Sequence, residues 1–315
     1  MRGYIGLADF DWYEQLRQSG PSEVNFWRPL SGREFRALDP GDPFFFKLKA
    51  AHGSAIAGFG FYAGFMSLTV NAAWDFFRES NGVHTKADMW ERIGYYVQRN
   101  RGGEIGPLHE IGCIVLTTPC FFPPTHWVAP PHTWKPNIVT GAGLDISIGE
   151  GQRIWAACQD RARDLRRGDE ALAYNIELSA STVEFRERVS RVRLGQGAFR
   201  AVVTSAYRGT CAVSGDHTLP ALEASHIRPI TQGGPHEIGN GLLLRADIHR
   251  LFDQHLVTVT PDHEFLVSPR LREEFANGAI YYALQERELT LPTNDAFRPR
   301  REYLEEHRDR FAASA

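Results

Sequence analysis

The stretch "LEASHIRPITQGGPHEIGNGLLLRADIHRLFD", Leu222 to Asp253, decides the architecture of the C-terminal half of the chain. With Ala221 in front of it, "ALEASHIRPI" alternates and carries β-branched isoleucines, so it reads as a strand. "TQGGPHEIGNG" is dense in glycine, proline and asparagine and reads as a loop. "LLLRADIHRLFDQH" begins as a strand or turn and becomes a helix around Asp247. The order is β, loop, β or turn, then α.

Hydrolysing a phosphodiester needs a nucleophilic water, a base for its proton and a cation to offset charge on the leaving oxygen. His226, late on the first strand, is a candidate base, because a neutral imidazole titrates near working pH. His249 and Asp253 are four residues apart, so a helix puts them on one face, where both can hold one divalent ion. Asn240, inside Gly-Asn-Gly, suits a position with φ > 0, and its amide can brace the loop carrying His226. Arg245 and Arg250 are candidates for holding a phosphate. Taken singly, each residue has a bland reading: a satisfied strand histidine, a surface His/Asp pair, an ordinary Asn-Gly turn. The joint order and spacing sets them apart.

Outside this stretch, the 315 residues suggest two domains rather than one. The composition, 43% hydrophobic and 23% charged, is that of an ordinary soluble globular protein. No apolar run approaches a membrane helix. Asp9, Asp11 and Glu14 argue against a signal peptide, so a cytoplasmic protein is expected. Cys113, Cys120, Cys158 and Cys211 form no C-x-x-C pair, which argues against a disulfide scaffold and a four-cysteine zinc site. The net charge of −3 gives no global sign of nucleic-acid binding. Locally, Arg186, Arg188, Arg191, Arg193, Arg200 and Arg208 face Glu187 alone, a run that can neutralise phosphates or be a solvated helix face.

In the N-terminal half, "DPFFFKLKA", "SAIAGFGFYAGFMSL" and "EIGCIVLTTPCFF" read as strands. "VNAAWDFFRESNG" and "KADMWERIGYYVQRNR" have helical spacing, through Trp74, Phe77 and Trp90, Ile93, Val97. Strands interleaved with short helices predict an α+β domain on a curved or barrel-like sheet. Composition shifts near 155. A charged helical segment follows, then a linker, then a helix, a Gly-Gln-Gly break and another helix. The tail "PRREYLEEHRDRF" has helical spacing. The expected division is a recognition domain over 1–160, a helical linker over 161–195 and a catalytic domain over 196–315.

From Tyr207 to Asp253, "YRGTCAVSGDHTLPALEASHIRP…GNGLLLRADIHRLFD" resembles the HNH, or ββα-metal, endonuclease family, in the branch found in predicted bacterial restriction endonucleases. The tail "FRPRREYLEEHRDRF" is similar to that branch's end. The resemblance implies that His226 activates water, that Asn240 orients its loop, and that His249 binds a divalent metal with Asp253 as a second ligand. Mg²⁺ is the expected ion, with Mn²⁺, Co²⁺ or Ni²⁺ as alternatives, and Arg208 joins Arg245 and Arg250 as phosphate contacts. Many relatives carry Asp or His where this chain has Ser225, and Glu223 is the candidate substitute ligand. Where relatives pin the fold with C-x-x-C pairs, Cys211 is followed at the third position by Ser214, so no structural zinc is expected. One such site cuts one strand, so a homodimer is expected on double-stranded DNA.

Residues 1 to about 160, through "EVNFWRPLSGREFRALDPGDPFFFKLKA…AIAGFGFYAG", resemble the EVE-type domains of the PUA superfamily. That resemblance implies a reader of modified bases, and the layout is similar to EVE–HNH fusions that restrict DNA carrying 5-methyl- or 5-hydroxymethylcytosine. A flipped base needs an aromatic pocket; Trp27 and Asn25, then Phe26 and Trp12, are the candidates, although a tryptophan in so aromatic a domain is also a core residue. Two other readings stay open: an HNH nuclease directed by phosphorothioate or by sequence, and a non-catalytic binder of modified DNA with a decayed HNH fold.

Overall fold

The structure, a computed structural model, describes residues 1–32, 34–135, 137–138, 140–168 and 196–314. The chain divides into two compact units, Met1–Ala198 and Phe199–Ala315. Four arginines of the basic run, Arg186, Arg188, Arg191 and Arg193, and residues 169–195 of the expected linker lie outside the described residues.

The first unit is built on β1 (Arg2–Ala8), β2 (Glu23–Arg28), β3 (Pro43–Leu48), β4 (Ile56–Thr69), β5 (Glu110–Phe121) and β6 (Gly141–Asp145). They form one six-stranded sheet in the order β2-β5-β4-β3-β1-β6. β1 and β3 run parallel and the other neighbours antiparallel. The helices are α1 (Phe10–Ser19), α2 (Val70–Phe77), α3 (Lys86–Arg101) and α4 (Gly149–Gly168). The expected α+β class holds, with an open ladder rather than a closed barrel: β2 and β6 are its two ends.

β3 reads "PFFFKL" without alternation because both of its faces are covered, so every residue meets apolar neighbours. Phe44 and Phe46 pack with Trp12, Tyr13 and Leu16 of α1. Phe45, on the other face, packs with Ile154, Cys158 and Ala162 of α4. Register shifts in the β3–β4 and β4–β5 pairs bend the sheet, as bulges do. Curvature brings Phe26 of β2 over Gly6 of β1, where an added Cβ would lie 3.0 Å from the Phe26 ring. β1 and α1 escaped the sequence reading: in "RGYIGLA" three of the four buried positions are glycine or alanine, which leaves little apolar pattern to read.

The second unit follows α5 (Gln196–Ala206) with β7 (Leu222–His226), β8 (Gly241–Arg245) and α6 (Ala246–Asp253). Then come β9 (Val257–Val259), β10 (Phe265–Val267), α7 (Arg270–Phe275), α8 (Ala279–Tyr282) and α9 (Arg301–Ala313). β7 and β8 pair antiparallel, with His226 opposite Gly241 and Glu223 opposite Leu244. α6 buries Ile248 and Phe252. α9 buries Tyr303, Leu304 and His307, the three- and four-residue stripe expected of the tail. β7 stops at His226 rather than running to Ile230. The amide of Arg228 is taken by the Asn240 side chain, and Pro229 has no amide to donate to a ladder.

Candidate active site

β7 delivers Glu223 and His226, β8 closes behind them, and α6 brings His249 and Asp253. The His226 ring lies on Phe199 of α5, with centroids 3.8 Å apart and planes within 10°. Its Nε2 is 3.1 Å from Nδ1 of His236. Burial and the nearby imidazoles of His236 and His249 push its pKa down to about 4, so the ring is neutral and competent to accept a proton at ordinary pH.

Asn240 is wholly buried and spends its side chain on the backbone of the loop. Its Oδ1 accepts from the Arg228 amide at 2.8 Å, and its Nδ2 donates to the carbonyls of Arg228 at 3.0 Å and Pro235 at 2.9 Å. The amide of Ile227 donates to the Asn240 carbonyl at 2.9 Å. The expected positive φ is not found: Asn240 ends a 3-10 turn over Ile238–Asn240. The flanking glycines answer to space instead. A Cβ on Gly241 would lie 2.5 Å from Val203, and one on Gly239 2.8 Å from Arg300.

The loop is also held from α9. Arg228 pairs with Glu306, Nε to Oε2 at 2.7 Å, and lies over the Tyr303 ring. The Tyr303 hydroxyl donates to the buried carboxylate of Glu237, which Arg300 also approaches at 3.3 Å.

His249 stands between two carboxylates. Its Nδ1 is 2.7 Å from Glu223 Oε2, and its Nε2 is 3.4 Å from Asp253 Oδ2. Burial raises the Asp253 pKa, an effect that the His249 ring opposes. Because Glu223 and Asp253 meet opposite ring nitrogens, they do not converge with His249 on one ion as three ligands. Among the described residues, no group of three or more His, Cys, Asp or Glu side chains is arranged to hold a metal. The donor set fits a hard divalent ion that keeps much of its water, with one imidazole nitrogen and one carboxylate from the protein. With such an ion bound, Glu223 would orient the ring from behind, as carboxylates do for metal-bound histidines. Ser225 Oγ, two residues along β7 from Glu223, is buried and has no hydrogen-bond partner among the described residues.

The three arginines expected at a phosphate differ in their commitments. Arg245 is held by Asp247 through two contacts, at 2.9 and 2.6 Å. Arg208 donates to Thr293 at 2.8 Å. Arg250 is exposed on α6. Cys211, in the place of a zinc-knuckle thiol, accepts weakly from the amides of Ser214 and Arg245, both at 3.4 Å. The sequence reading missed His236, which lies in the segment taken as loop, and Arg228, whose partner is 78 residues away.

In the first unit, a cavity of about 540 Å³ opens between β1, β2 and α3. Trp12, Phe26 and Trp27 line it, joined by Tyr4 and Tyr96. Trp12 meets Phe26 edge-on at 5.3 Å, and Trp27 meets Tyr96 at 6.2 Å. Lys49, Asp9 and Arg99 supply its polar wall, with Lys49 donating to the Tyr96 hydroxyl at 2.8 Å and paired with Asp9. Asn25 does not line the cavity. It is wholly buried and donates to Asn81 Oδ1 at 2.9 Å, while Trp27 donates to the Asn81 carbonyl at 2.9 Å. An amide inside a covered sheet must find internal partners, and Asn81 provides one.

Residues 211–260 match the family model described as HNH endonuclease. Among solved structures, the chain is similar to ASCH from Zymomonas mobilis, with 10% identity over 49% of this chain and 94% of that one at a TM-score of 0.33. It is also similar to a structure described as the modification-dependent TagI restriction endonuclease, with 13% identity over 92% of this chain and 75% of that one at a TM-score of 0.27. No curated protein matches the chain. HNH endonucleases generally use a divalent metal ion, and no helix among the described residues is long and apolar enough to cross a membrane. The chain carries an HNH endonuclease domain over residues 211–260.

Proposed function

We propose that the protein is a modification-dependent restriction endonuclease that hydrolyses double-stranded DNA carrying 5-methyl- or 5-hydroxymethylcytosine. The observation that carries the nuclease reading is the arrangement of His226 and His249 around a loop tied by Asn240, inside the matched residues. In this reading His226 takes a proton from water as the water oxygen bonds to phosphorus. The bond from phosphorus to the 3′ oxygen breaks, and that oxygen gains a proton from solvent. A divalent ion, Mg²⁺ by preference, would be held by His249 and Asp253 and would supply charge compensation at the phosphate. Arg250 and Arg208 are the phosphate contacts that need no exchange of a carboxylate partner; Arg245 would first have to leave Asp247.

The modified base is assigned to the cavity of the first unit. Its aromatic walls suit a flipped base, whose methyl group gains burial against ring faces. The carboxylate of Asp9 matches the N4 amine of cytosine, a donor that Asp and Glu accept from. Duplex cleavage by a site that cuts one strand points to a homodimer.

A digestion panel tests the reading: DNA with cytosine, methylcytosine, hydroxymethylcytosine or glucosylated base, each with Mg²⁺, Mn²⁺, Co²⁺ and Ni²⁺. Cutting confined to modified cytosine is the expected result. Equal cutting of all substrates removes the reader and leaves the nuclease. The orphaned Ser225 hydroxyl, where relatives offer a ligand, favours one second reading, a DNA binder without catalysis. That reading wins if wild type and His226→Ala bind modified DNA equally and neither cuts it with any of the four ions.

A further inference from the structure

We infer that His236 is a positioning residue for the base: it accepts a hydrogen bond from Nε2–H of His226 and thereby leaves Nδ1 of His226 as the nitrogen that takes the proton from water. The inference rests on the nuclease reading for its catalytic meaning and on geometry for its structural content.

The contact joins His226 Nε2 to His236 Nδ1 at 3.1 Å, so one of these two nitrogens donates and the other accepts. Stacking on Phe199 fixes the plane of the His226 ring. It does not fix the ring's flip within that plane, which exchanges each nitrogen with a carbon. A directional partner at one nitrogen does. With Nε2 engaged, the only lone pair left to meet a water is that of Nδ1, which requires the proton on Nε2. When His226 becomes an imidazolium, its Nε2–H keeps the same acceptor, now in a charge-assisted bond. The logic is that of an orienting partner that selects a tautomer behind a catalytic histidine.

The fold invests in placing His236. The carbonyl of Pro235, on one side of it, accepts from Asn240 Nδ2 at 2.9 Å. Glu237, on the other side, is buried and accepts from Tyr303. The same Asn240 amide pairs with the backbone of Arg228, two residues beyond His226. One side chain therefore sets the spacing between the segments that carry the two imidazoles. His236 meets the His226 ring edge-on, at 4.8 Å and 79°, the attitude in which its in-plane lone pair faces the neighbouring ring nitrogen.

Three variants separate hydrogen bonding from packing. Asparagine at 236 presents an acceptor near the position of Nδ1 but no ring. Phenylalanine keeps the ring and loses the acceptor, and leucine loses both. In single-turnover cleavage at saturating DNA, His236→Leu and His236→Phe are expected to lose about 100-fold in the rate constant with unchanged DNA affinity. His236→Asn is expected to recover at least about tenfold of that loss. Nitrogen-15 spectra of labelled histidine read the same claim without DNA. His226 should be the Nε2–H tautomer in wild type and His236→Asn, and a mixture of tautomers in His236→Leu and His236→Phe. An active Phe variant beside an inactive Asn variant overturns the inference, as does a His226 tautomer that ignores residue 236. If the wild-type protein cuts no DNA, the nuclease reading fails, while the nitrogen spectra still decide the role of His236.

Discussion

Asn240 and Arg228 are joined reciprocally: the Asn240 amide accepts from the Arg228 N–H at 2.8 Å and returns a hydrogen bond to the Arg228 carbonyl at 3.0 Å. This pair imitates one rung of a β-ladder at the point where β7 ends. It turns the chain away immediately after His226 and fixes where that imidazole stands.

Replacing Asn240 by alanine leaves the carbonyls of Arg228 and Pro235 and the Arg228 amide without their partner. At about 1 kcal/mol for each lost bond, the variant should unfold with about 2–3 kcal/mol less stability in urea. Its single-turnover rate should fall by about 100-fold or more, because His226 and His236 lose their common brace. Asn240→Asp should restore only the contact with the Arg228 N–H, since a carboxylate cannot donate to the carbonyls of Arg228 and Pro235.

The two carboxylates beside His249 should separate in a metal titration. Calorimetry with Mn²⁺ is expected to register no binding to His249→Ala. Asp253→Asn should bind far more weakly than wild type. Glu223→Gln should keep a measurable site weakened by about 10- to 100-fold, because Glu223 meets Nδ1 while Asp253 meets Nε2. Complete loss in Glu223→Gln would make Glu223 a direct ligand instead.

Two histidines of the second unit have depressed pKa values. Burial pushes the His226 pKa down to about 4 and that of His307 to about 3. His307 is 2% exposed, with Nδ1 2.8 Å from Thr258 Oγ1 and Nε2 3.0 Å from the Phe252 carbonyl. Both folded values lie below the unfolded value near 6.5, so the unfolded state binds more protons between those limits. The associated stability is complete above pH 6.5 and is lost as pH falls through the window toward 3–4. Of the two, His307 has the larger shift and carries the larger share of the loss. The urea midpoint should drop between pH 7 and pH 4.5. Proton NMR of the metal-free protein should titrate His226 near 4, and a midpoint near 6.5 would contradict its burial.

In the first unit, Trp27→Ala should lower affinity for modified DNA by about 10-fold or more while leaving metal binding at His249 intact, because Trp27 lines the cavity. Asn25→Ala should instead lower the thermal midpoint, through the lost contact with Asn81. The two effects are read by fluorescence binding and by calorimetry. A binding defect in Asn25→Ala at unchanged stability would return Asn25 to the pocket.

The amino-acid sequence determined the local elements and the spacing of the nuclease motif. Residue type and period are enough to place His249 and Asp253 on one helical turn, and to make "PFFFKL" a strand buried on both faces. Turn chemistry marked Asn240 as a brace. It could not give the backbone conformation there, because the fit of Gly239 and Gly241 is set by Arg300 and Val203, which are remote in sequence. Tertiary structure alone decided which ring nitrogen of His249 each carboxylate meets, that Asn25 turns to Asn81 rather than to the cavity, and that Asp9, Lys49 and Tyr96 complete that cavity. It also decided that His236 stands against His226. Such pairings depend on how loops and helices pack across long sequence separations. A periodic pattern records which face of an element is buried, and it carries no information about which distant side chain will meet it there.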